Sequence, residues 1–300
     1  MAQPKVSIII LNYNGVEDTI ECLESLSKIT YPNYEVILID NNSAGNDVEK
    51  LRNMYGGSIR IIRNELNYGF TGGNNIGIIY ALENSNPDYI LLLNNDTIVA
   101  PDYLTELVKV ASSGPTVGAV VAKIYLYNKP HHIESTGLKI NMWCGQSYRL
   151  HWRRMDKGQY DEVTEVNAAS TNAFLIPADV LQKVGLFDEG FFIYHDDADW
   201  CLRARKAGYK ILYAPKAKIW HKVGSATRKT TGLAYYYLAR NNFKFMRKHA
   251  TRKQYQGFIL YYFTVHMWLM TAAYMAYFHL NLKIVWCYYK GVWHGLRGVK

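Results

Sequence analysis

The stretch VSIIILNYNG, residues 6–15, decides the fold. Ile8, Ile9, Ile10 and Leu11 follow one another without alternation, and the chain then turns abruptly to Asn12, Tyr13, Asn14 and Gly15. A strand with one wet face alternates apolar and polar residues. An unbroken apolar run fits a strand buried on both faces of a parallel sheet. The same pattern recurs in residues 35–39 before DNNS (40–43), in residues 59–62 before NELNYGFTGGNN (64–75), and in residues 89–93 before NNDT (94–97). Between these runs, residues 18–26, 71–84 and 101–111 place apolar side chains at helical spacing, the last with Pro101 in its first turn. Strand–helix alternation predicts an α/β, doubly wound half of about 120 residues.

In such a sheet the ligand crevice lies beyond the carboxyl ends of the strands. Every one of these ends is polar, small or glycine-rich. Any one of them is also what an ordinary turn would use, but four at one edge point to a ligand site. Asp40 suits the N3–H of uracil or thymine, and Tyr13 suits a place near the base. Gly72, Gly73 and Asn74 are expected to open a helix and to present backbone N–H groups to an anion or a sugar hydroxyl. The spacing is neither G-x-G-x-x-G nor a P-loop, which disfavours dinucleotides and ATP. Asp96 suits a hard cation bridging a diphosphate.

From residue 123 to 166 the pattern loosens into expected hairpins and a mobile loop, with Trp143 and Trp152 among arginines. These aromatics suit either a sugar-binding shelf or a plain hydrophobic lid. Further on, YHDDADW (194–200) crowds Asp196, Asp197 and Asp199 at one helix start. Capping by Asp196 and an Asp199–Arg203 pair would explain two of the three acids. Capping needs only one acid, and one of the three is available as a general base. His221 follows a strand-like run, and a lone histidine there is more often structural than a metal ligand. Cys22, Cys144, Cys201 and Cys287 show no paired spacing and are expected as free thiols.

Charge divides the chain. All 25 acidic residues lie at or before Asp199, and the remainder is basic and aromatic. Such asymmetry implies a polyanionic partner, either nucleic acid or an anionic membrane surface. Residues 258–280 carry no formal charge and are long enough to cross a bilayer. Basic flanks on both sides fit a segment lying in the interface, or a re-entrant hairpin, better than a single span. The expected organisation is a domain over residues 1–230, in two halves (1–122 and 123–230), and a helical membrane-associating tail over 231–300. The expected place is the cytoplasmic face of the cell membrane, with no role for nucleic acid.

Taken in order, VSIIILNYNG, VILIDNNS, NYGFTGGNNIGI, LLLNNDT and GLFDEGFFIYHDDADWCLRARKAGYKILYAPKAKIWHKVGS resemble the inverting glycosyltransferases of family 2, and within them a rhamnosyltransferase-like branch that builds surface polysaccharides. The resemblance covers roughly residues 5–245. It implies a GT-A fold, a UDP- or dTDP-sugar donor, a glycan or lipid-linked acceptor, and Mg²⁺ or Mn²⁺. Carried onto this chain, it implies donor contacts at Asn12, Tyr13, Asn14, Asp40, Asn42, Asn67, Gly72, Gly73, Asn74, Asn94 and Asn95. Metal ligands are implied at Asp96 and His221, acceptor contacts at Asp196, Trp200 and Trp143, and the catalytic base at Asp197. Asn94 stands where the family pattern has its first aspartate, and Asp196 where it usually has glutamate. Two other readings compete: a sugar-phosphate nucleotidyltransferase, whose Gly- and Arg-bearing loop NYNGVED lacks, and a non-catalytic nucleotide-sugar-binding protein at the membrane.

Overall fold

The unalternated runs form the middle of one sheet. The computed structural model describes residues 3–222, 232–277 and 281–299. Strands β1 (Val6–Asn12), β2 (Tyr34–Asp40), β3 (Arg60–Arg63) and β4 (Tyr89–Asn94) are parallel neighbours in the order β4-β1-β2-β3. Helices α1 (Val16–Leu26), α2 (Asp47–Tyr55) and α3 (Gly69–Asn84) connect them. The short strand β5 (Thr97–Val99) follows β4, and α4 (Tyr103–Ala111) follows it. Both sheet faces are covered, with Ile8 and Ile10 in one core cluster and Ile9 in the other. That two-sided burial is why the run never alternates.

The second half extends the same sheet. It adds β6 (Val117–Leu126), β7 (Lys129–Ser135), β10 (Thr164–Val166), β11 (Ala173–Pro177) and β12 (Lys210–His221), while β8 (Leu138–Asn141) and β9 (Gln146–Arg149) form a separate hairpin. The order continues β10-β12-β6-β11-β4, with β11 antiparallel to both its neighbours. The expected hairpins over residues 123–166 are therefore four ordered strands and the end of a fifth. α5 (Ala178–Val184) and α6 (Asp196–Lys206) lie between β11 and β12. β12 runs six residues past the expected YKILYAP, through a β-bulge at Ala214–Lys218, before it ends at His221.

Register sets the rim. Asn12 lies opposite Asp40, Leu11 opposite Asn94, and Asp40 opposite Arg63. β12 pairs with β5 so that His221 lies opposite Thr97. That pairing sets His221 beside Asp96 although 125 positions separate them in the chain.

Two expected helix starts move. α4 begins at Tyr103, with Pro101 before its cap. α3 begins at Gly69, so Gly72, Gly73 and Asn74 lie inside its first turns and do not open it. Gly69 is the residue the start requires: its φ is +74°, and a Cβ there would sit 2.5 Å from the carbonyl oxygen of Phe192. Gly73 and Gly77 serve packing instead, since a Cβ on either would come within 2.4 Å of Leu11 or Ile9 on β1.

After β12 come α7 (Leu233–His249), α8 (Arg252–Tyr261), α9 (Met267–Tyr277) and α10 (Leu282–Arg297). The expected boundary at residues 230/231 and residues 278–280 of the uncharged run lie outside the described residues. A π-helical turn, Tyr262–His266, joins α8 to α9 without a break. By length and composition, Arg252–Ala276 is apolar enough to cross a membrane, with 11% of its most apolar window buried. A third core cluster, including Phe243, Phe258, Tyr262 and Tyr288, ties these helices to one another and to Phe191 and Ala198. Part of the tail's positive charge is spent internally: Lys244 and Lys248 pair with Asp188, and Lys248 and His249 with the fully buried Asp199. All four cysteines are free.

Candidate active site

The rim at the ends of β1 and β2 is a closed hydrogen-bond network. Asn12 Nδ2 donates to Asp40 Oδ1 at 2.8 Å, to Ser43 Oγ at 3.1 Å and to Asp47 Oδ2 at 3.2 Å, and Asn12 Oδ1 accepts from Thr19. Asp40 is fully buried, and its Oδ2 accepts from the Ser43 backbone N–H at 3.0 Å. Asn14, in the left-handed region with φ +52°, accepts from the Ala44 backbone N–H. Asn42 also has positive φ and is exposed. Asn67 accepts from Asn41 Nδ2 and from the Gly69 backbone N–H, which fixes the start of α3. Asn74 donates to the Phe70 carbonyl within its own helix. Tyr13 stands 41% exposed beside this network.

The NNDT turn builds the next part. Asn94 donates to Asn172 Oδ1 at 3.2 Å, and Asn95 donates to Thr19 Oγ1 at 2.9 Å. Asp96 Oδ1 lies 3.1 Å from His221 Nε2, and His221 Nδ1 lies 2.8 Å from Glu134 Oε2. Glu134 in turn pairs with Arg149 at 3.0 Å. Burial alone would lower the His221 pKa, but Asp96 and Glu134 outweigh it and raise it to about 9.

This donor set fits a divalent cation. Neighbouring ligands on an octahedral ion with bonds of about 2.1 Å lie about 3.0 Å apart, which the Asp96–His221 gap matches. A carboxylate can only accept, so Glu134 fixes the hydrogen on Nδ1 and leaves Nε2 for metal. Among the described residues no three His, Cys, Asp or Glu side chains converge as a metal site, so the remaining ligands would come from a bound diphosphate or water.

The other side of the rim is built differently. Phe192, Tyr194 and His195 have φ of +64°, +68° and +67°, and they lead directly into Asp196 and Asp197. His195, not Asp196, is the cap residue of α6, so Asp196 is already helical. Each such backbone costs on the order of 1–3 kcal/mol and persists only where its surroundings impose it. α7 imposes it here. Asn241 Nδ2 donates to the carbonyls of Phe191, Ile193 and Tyr194 at 2.8, 2.7 and 3.0 Å. Arg240 Nη2 donates to those of Gly190 and Phe191 at 2.7 and 3.0 Å. The loop also meets the donor half, because the Thr71 N–H donates to the Phe192 carbonyl.

The two carboxyls that follow differ. Asp196 is 3% exposed and its Oδ2 has no hydrogen-bond partner. Burial, then the neighbouring Asp197, pushes its pKa well above the usual range. Asp197 is half-buried and accepts from the Ala198 N–H at 2.7 Å. Burial pushes its pKa up to about 6, against the opposing pull of that N–H and of Arg149. Asp197 lines a cavity of about 330 Å³ together with Arg149, Tyr194 and His195.

Trp200 lies in the core, fully buried between Phe174 and Phe187, with its indole N–H on the Gly185 carbonyl. Trp143 is 57% exposed and lies against Gly257 of α8. Glu134, Asn172, Arg240 and Asn241 were not singled out from the sequence. Their only signals were a glutamate beside HH and an Arg-Asn-Asn step in a basic, aromatic helix.

The mixed sheet flanked by helices, parallel through β4-β1-β2-β3, has the GT-A fold of glycosyltransferases. The chain belongs to the glycosyltransferase-like family 2, whose family model matches residues 4–255. Among curated relatives, the dTDP-rhamnosyl transferase RfbF of Shigella flexneri is 24% identical over 249 residues, which cover 80% of this chain and 79% of RfbF. The low-salt glycan biosynthesis hexosyltransferase Agl10 of Haloferax volcanii is 26% identical over 212 residues, 69% of this chain. The chain spans 63% of Agl10. It spans 24% of the uncharacterized protein y4gI of Sinorhizobium fredii, which is 28% identical over 236 residues, 73% of this chain. Among solved structures, the mannosyltransferase PcManGT of Pyrobaculum calidifontis, in complex with GDP-Man and Mn²⁺, has a TM-score of 0.62 at 14% identity, covering all of this chain and 89% of PcManGT. GalNAc-T7 with UDP, GalNAc and Mn²⁺ has a TM-score of 0.61 at 20% identity, covering 73% of this chain and 43% of that one. These structures support the fold. Family membership also sets aside the nucleotidyltransferase reading.

Proposed function

We propose that this protein is an inverting glycosyltransferase. It moves a sugar from a pyrimidine nucleotide-sugar, UDP- or dTDP-linked with dTDP-rhamnose among the candidates, to a hydroxyl of a glycan or lipid-linked acceptor in cell-surface polysaccharide synthesis. The observation that carries this reading is the aspartate pair: Asp197, next to the buried Asp196, lines a cavity on the rim that also bears Asp96 and His221. Asp197 takes the proton of the acceptor hydroxyl. The oxygen bonds to the anomeric carbon from the face opposite the nucleotide, the bond from that carbon to the phosphate oxygen breaks, and the nucleoside diphosphate leaves. Mg²⁺ or Mn²⁺ held by Asp96 and His221 would neutralise charge on that leaving group. The pyrimidine preference rests on the family resemblance at Asp40, which lies at the end of β2 inside the rim network.

The tail supports a place at the cytoplasmic face of an anionic membrane. Trp268, Trp286 and Trp293 are exposed, with Lys290 over the Trp286 ring at 5.0 Å and Arg297 over the Trp293 ring at 3.9 Å. Tryptophan with snorkelling cations suits the interface between lipid and water.

The test is Asp197→Asn in a transfer assay with a panel of nucleotide-sugars and Mn²⁺. Transfer should fall on the order of 10³-fold, while thermal stabilisation by the donor persists. Near-normal turnover overturns the assignment of the base. Stabilisation by purine-linked sugars alone overturns the donor class.

A further inference from the structure

A second cavity, of about 380 Å³, lies between α7 and the end of α10 and shares no lining residue with the one beside Asp197. Arg240, Lys244, Arg247 and Lys248 line it from α7, at positions i, i+4, i+7 and i+8, which form a single stripe of the helix. His294 and Val299 line it from α10 and the residues just after it. Among the described residues no carboxylate lines it. The four formal charges find little compensation nearby. Lys244 and Lys248 share Asp188, and Lys248 also reaches Asp199, which already pairs with Arg203. Arg240 directs Nε and Nη2 to neutral oxygens of Gly190, Phe191 and Asn241, and Arg247 donates to the Gly295 and Leu296 carbonyls. Neutral oxygens satisfy the hydrogens but cancel no charge. The cavity is therefore left with surplus positive charge, and an anion entering it relieves the repulsion among the four cations. Two guanidiniums and two ammoniums suit a phosphate: the planar forks pair with its oxygens, and the point charges balance the rest. The exposed border of the cavity is apolar. Val299 is exposed there, as are Trp293 and Leu296, three apart on α10, and Arg297 lies over the Trp293 ring at 3.9 Å. A bare anion gains nothing from such a border, whereas a phosphate that carries acyl chains does.

We propose that this cavity binds a phosphate ester, and that the ester is the headgroup of an anionic phospholipid. The phosphate lies among the four α7 cations, and the acyl chains leave past Val299 toward Trp293 and Leu296. The inference rests on the membrane placement above and goes further. In place of diffuse attraction between a basic surface and a charged bilayer, it assigns the tail one saturable site for one lipid, separate from the cavity beside Asp197.

The test is calorimetric titration of the full chain with monomeric dihexanoylphosphatidylglycerol and, separately, with inorganic phosphate at matched ionic strength. Wild-type protein should bind the short-chain lipid saturably and at least about tenfold more tightly than phosphate. Lys244→Gln removes one cation and leaves Asp188 paired with Lys248. Val299→Glu adds a carboxylate at the border. Each should weaken lipid binding about fivefold or more, whereas Lys283→Gln, the same loss of charge at the opposite end of α10, should change it less than about twofold. Val299 is exposed, so its variant keeps the test decisive even where Lys244→Gln fails to fold. Equal affinity for lipid and phosphate overturns the lipid assignment. No binding of either, or lipid binding that Val299→Glu leaves unchanged, overturns the site. Co-sedimentation with vesicles of phosphatidylcholine alone and of about 3:1 phosphatidylcholine to phosphatidylglycerol separates this idea from the membrane placement. Wild-type protein that ignores both kinds of vesicle sinks the placement. Wild type and Val299→Glu sedimenting alike with the anionic vesicles sinks only the headgroup site.

Discussion

The donor side and the base side of one sheet rim are stabilised in opposite ways. Around Asn12, Asp40 and Ser43 the polar side chains satisfy one another. Around Asp197 there are two buried oxygens without partners, on Asp196 and Asn242, and three consecutive-region residues with positive φ. The first is a finished scaffold against which a ligand docks. The second is held in place from outside, by a helix about fifty residues downstream, and is completed by whatever enters it. A mutation on the donor side should therefore register as lost stability, and one on the base side as lost turnover.

The largest break in that contrast should come from Asn241. Its Nδ2 group holds three carbonyls of the loop that leads into Asp196 and Asp197. Asn241→Ala should lower kcat about 10²-fold, equivalent to about 2.7 kcal/mol, by releasing the base from position. Donor KM should stay within about twofold, because Asn241 itself bonds loop carbonyls and no donor-side side chain. Arg240→Lys, which keeps the charge but not the paired contacts, should fall between wild type and Asn241→Ala. A loss confined to donor KM would show that α7 does not position the base.

Asn12→Ala makes the reverse experiment. It leaves Asp40 Oδ1, Ser43 and Asp47 without their shared donor inside a buried network. Unfolding free energy should drop by about 2–4 kcal/mol, read from urea denaturation. A loss below about 0.5 kcal/mol would mean that water replaces the amide and that the donor side is not the closed scaffold described.

The pH profile sharpens the base side alone. Burial raises the Asp197 pKa to about 6. The base must be ionised, so activity is present above that value and is lost as pH falls through it. Below about pH 6, kcat/KM should fall tenfold per unit. A profile flat down to pH 5 would place the ionising base elsewhere.

The two regions were also unequally legible in the sequence. The donor side could be read because parallel strands buried on both faces leave unbroken runs, and each run ends on the residues that meet at the rim. The register then set Asn12 level with Asp40, as strand ends alone implied. His221 was legible only through the resemblance. Its physical cause, the β12–β5 pairing, needed a strand carried past a bulge at Ala214–Lys218. Glu134 was hidden because β7, which it nearly ends, lies in the loosened stretch where no apolar run marks a strand. Arg240, Asn241 and Asn242 were hidden for a different reason. They act on backbone carbonyls and a cavity, which leave no pattern in sequence, and they lie among lysines and tyrosines that suggest a surface helix. The α3 start was misplaced by two residues because three candidate glycines follow one another, and only the approach of Phe192 singles out Gly69.

The smallest expected effect returns to the donor side. Tyr13 is the one donor-side candidate that combines a large aromatic ring with substantial exposure, at 41%. It follows Asn12 directly, so its backbone is held by the network while its ring is left at the rim. A ring placed this way can stack on a nucleobase, an interaction of about 0.5–1.5 kcal/mol. Tyr13→Ala should raise donor KM about three- to tenfold and leave kcat unchanged, since the base is bound equally in ground state and transition state. Tyr13→Phe should behave as wild type, because the face of the ring and not its hydroxyl makes the contact. If kcat fell with KM unchanged, Tyr13 would belong functionally with the base side, and the division between a finished scaffold and a ligand-completed cavity would fail at its most exposed residue.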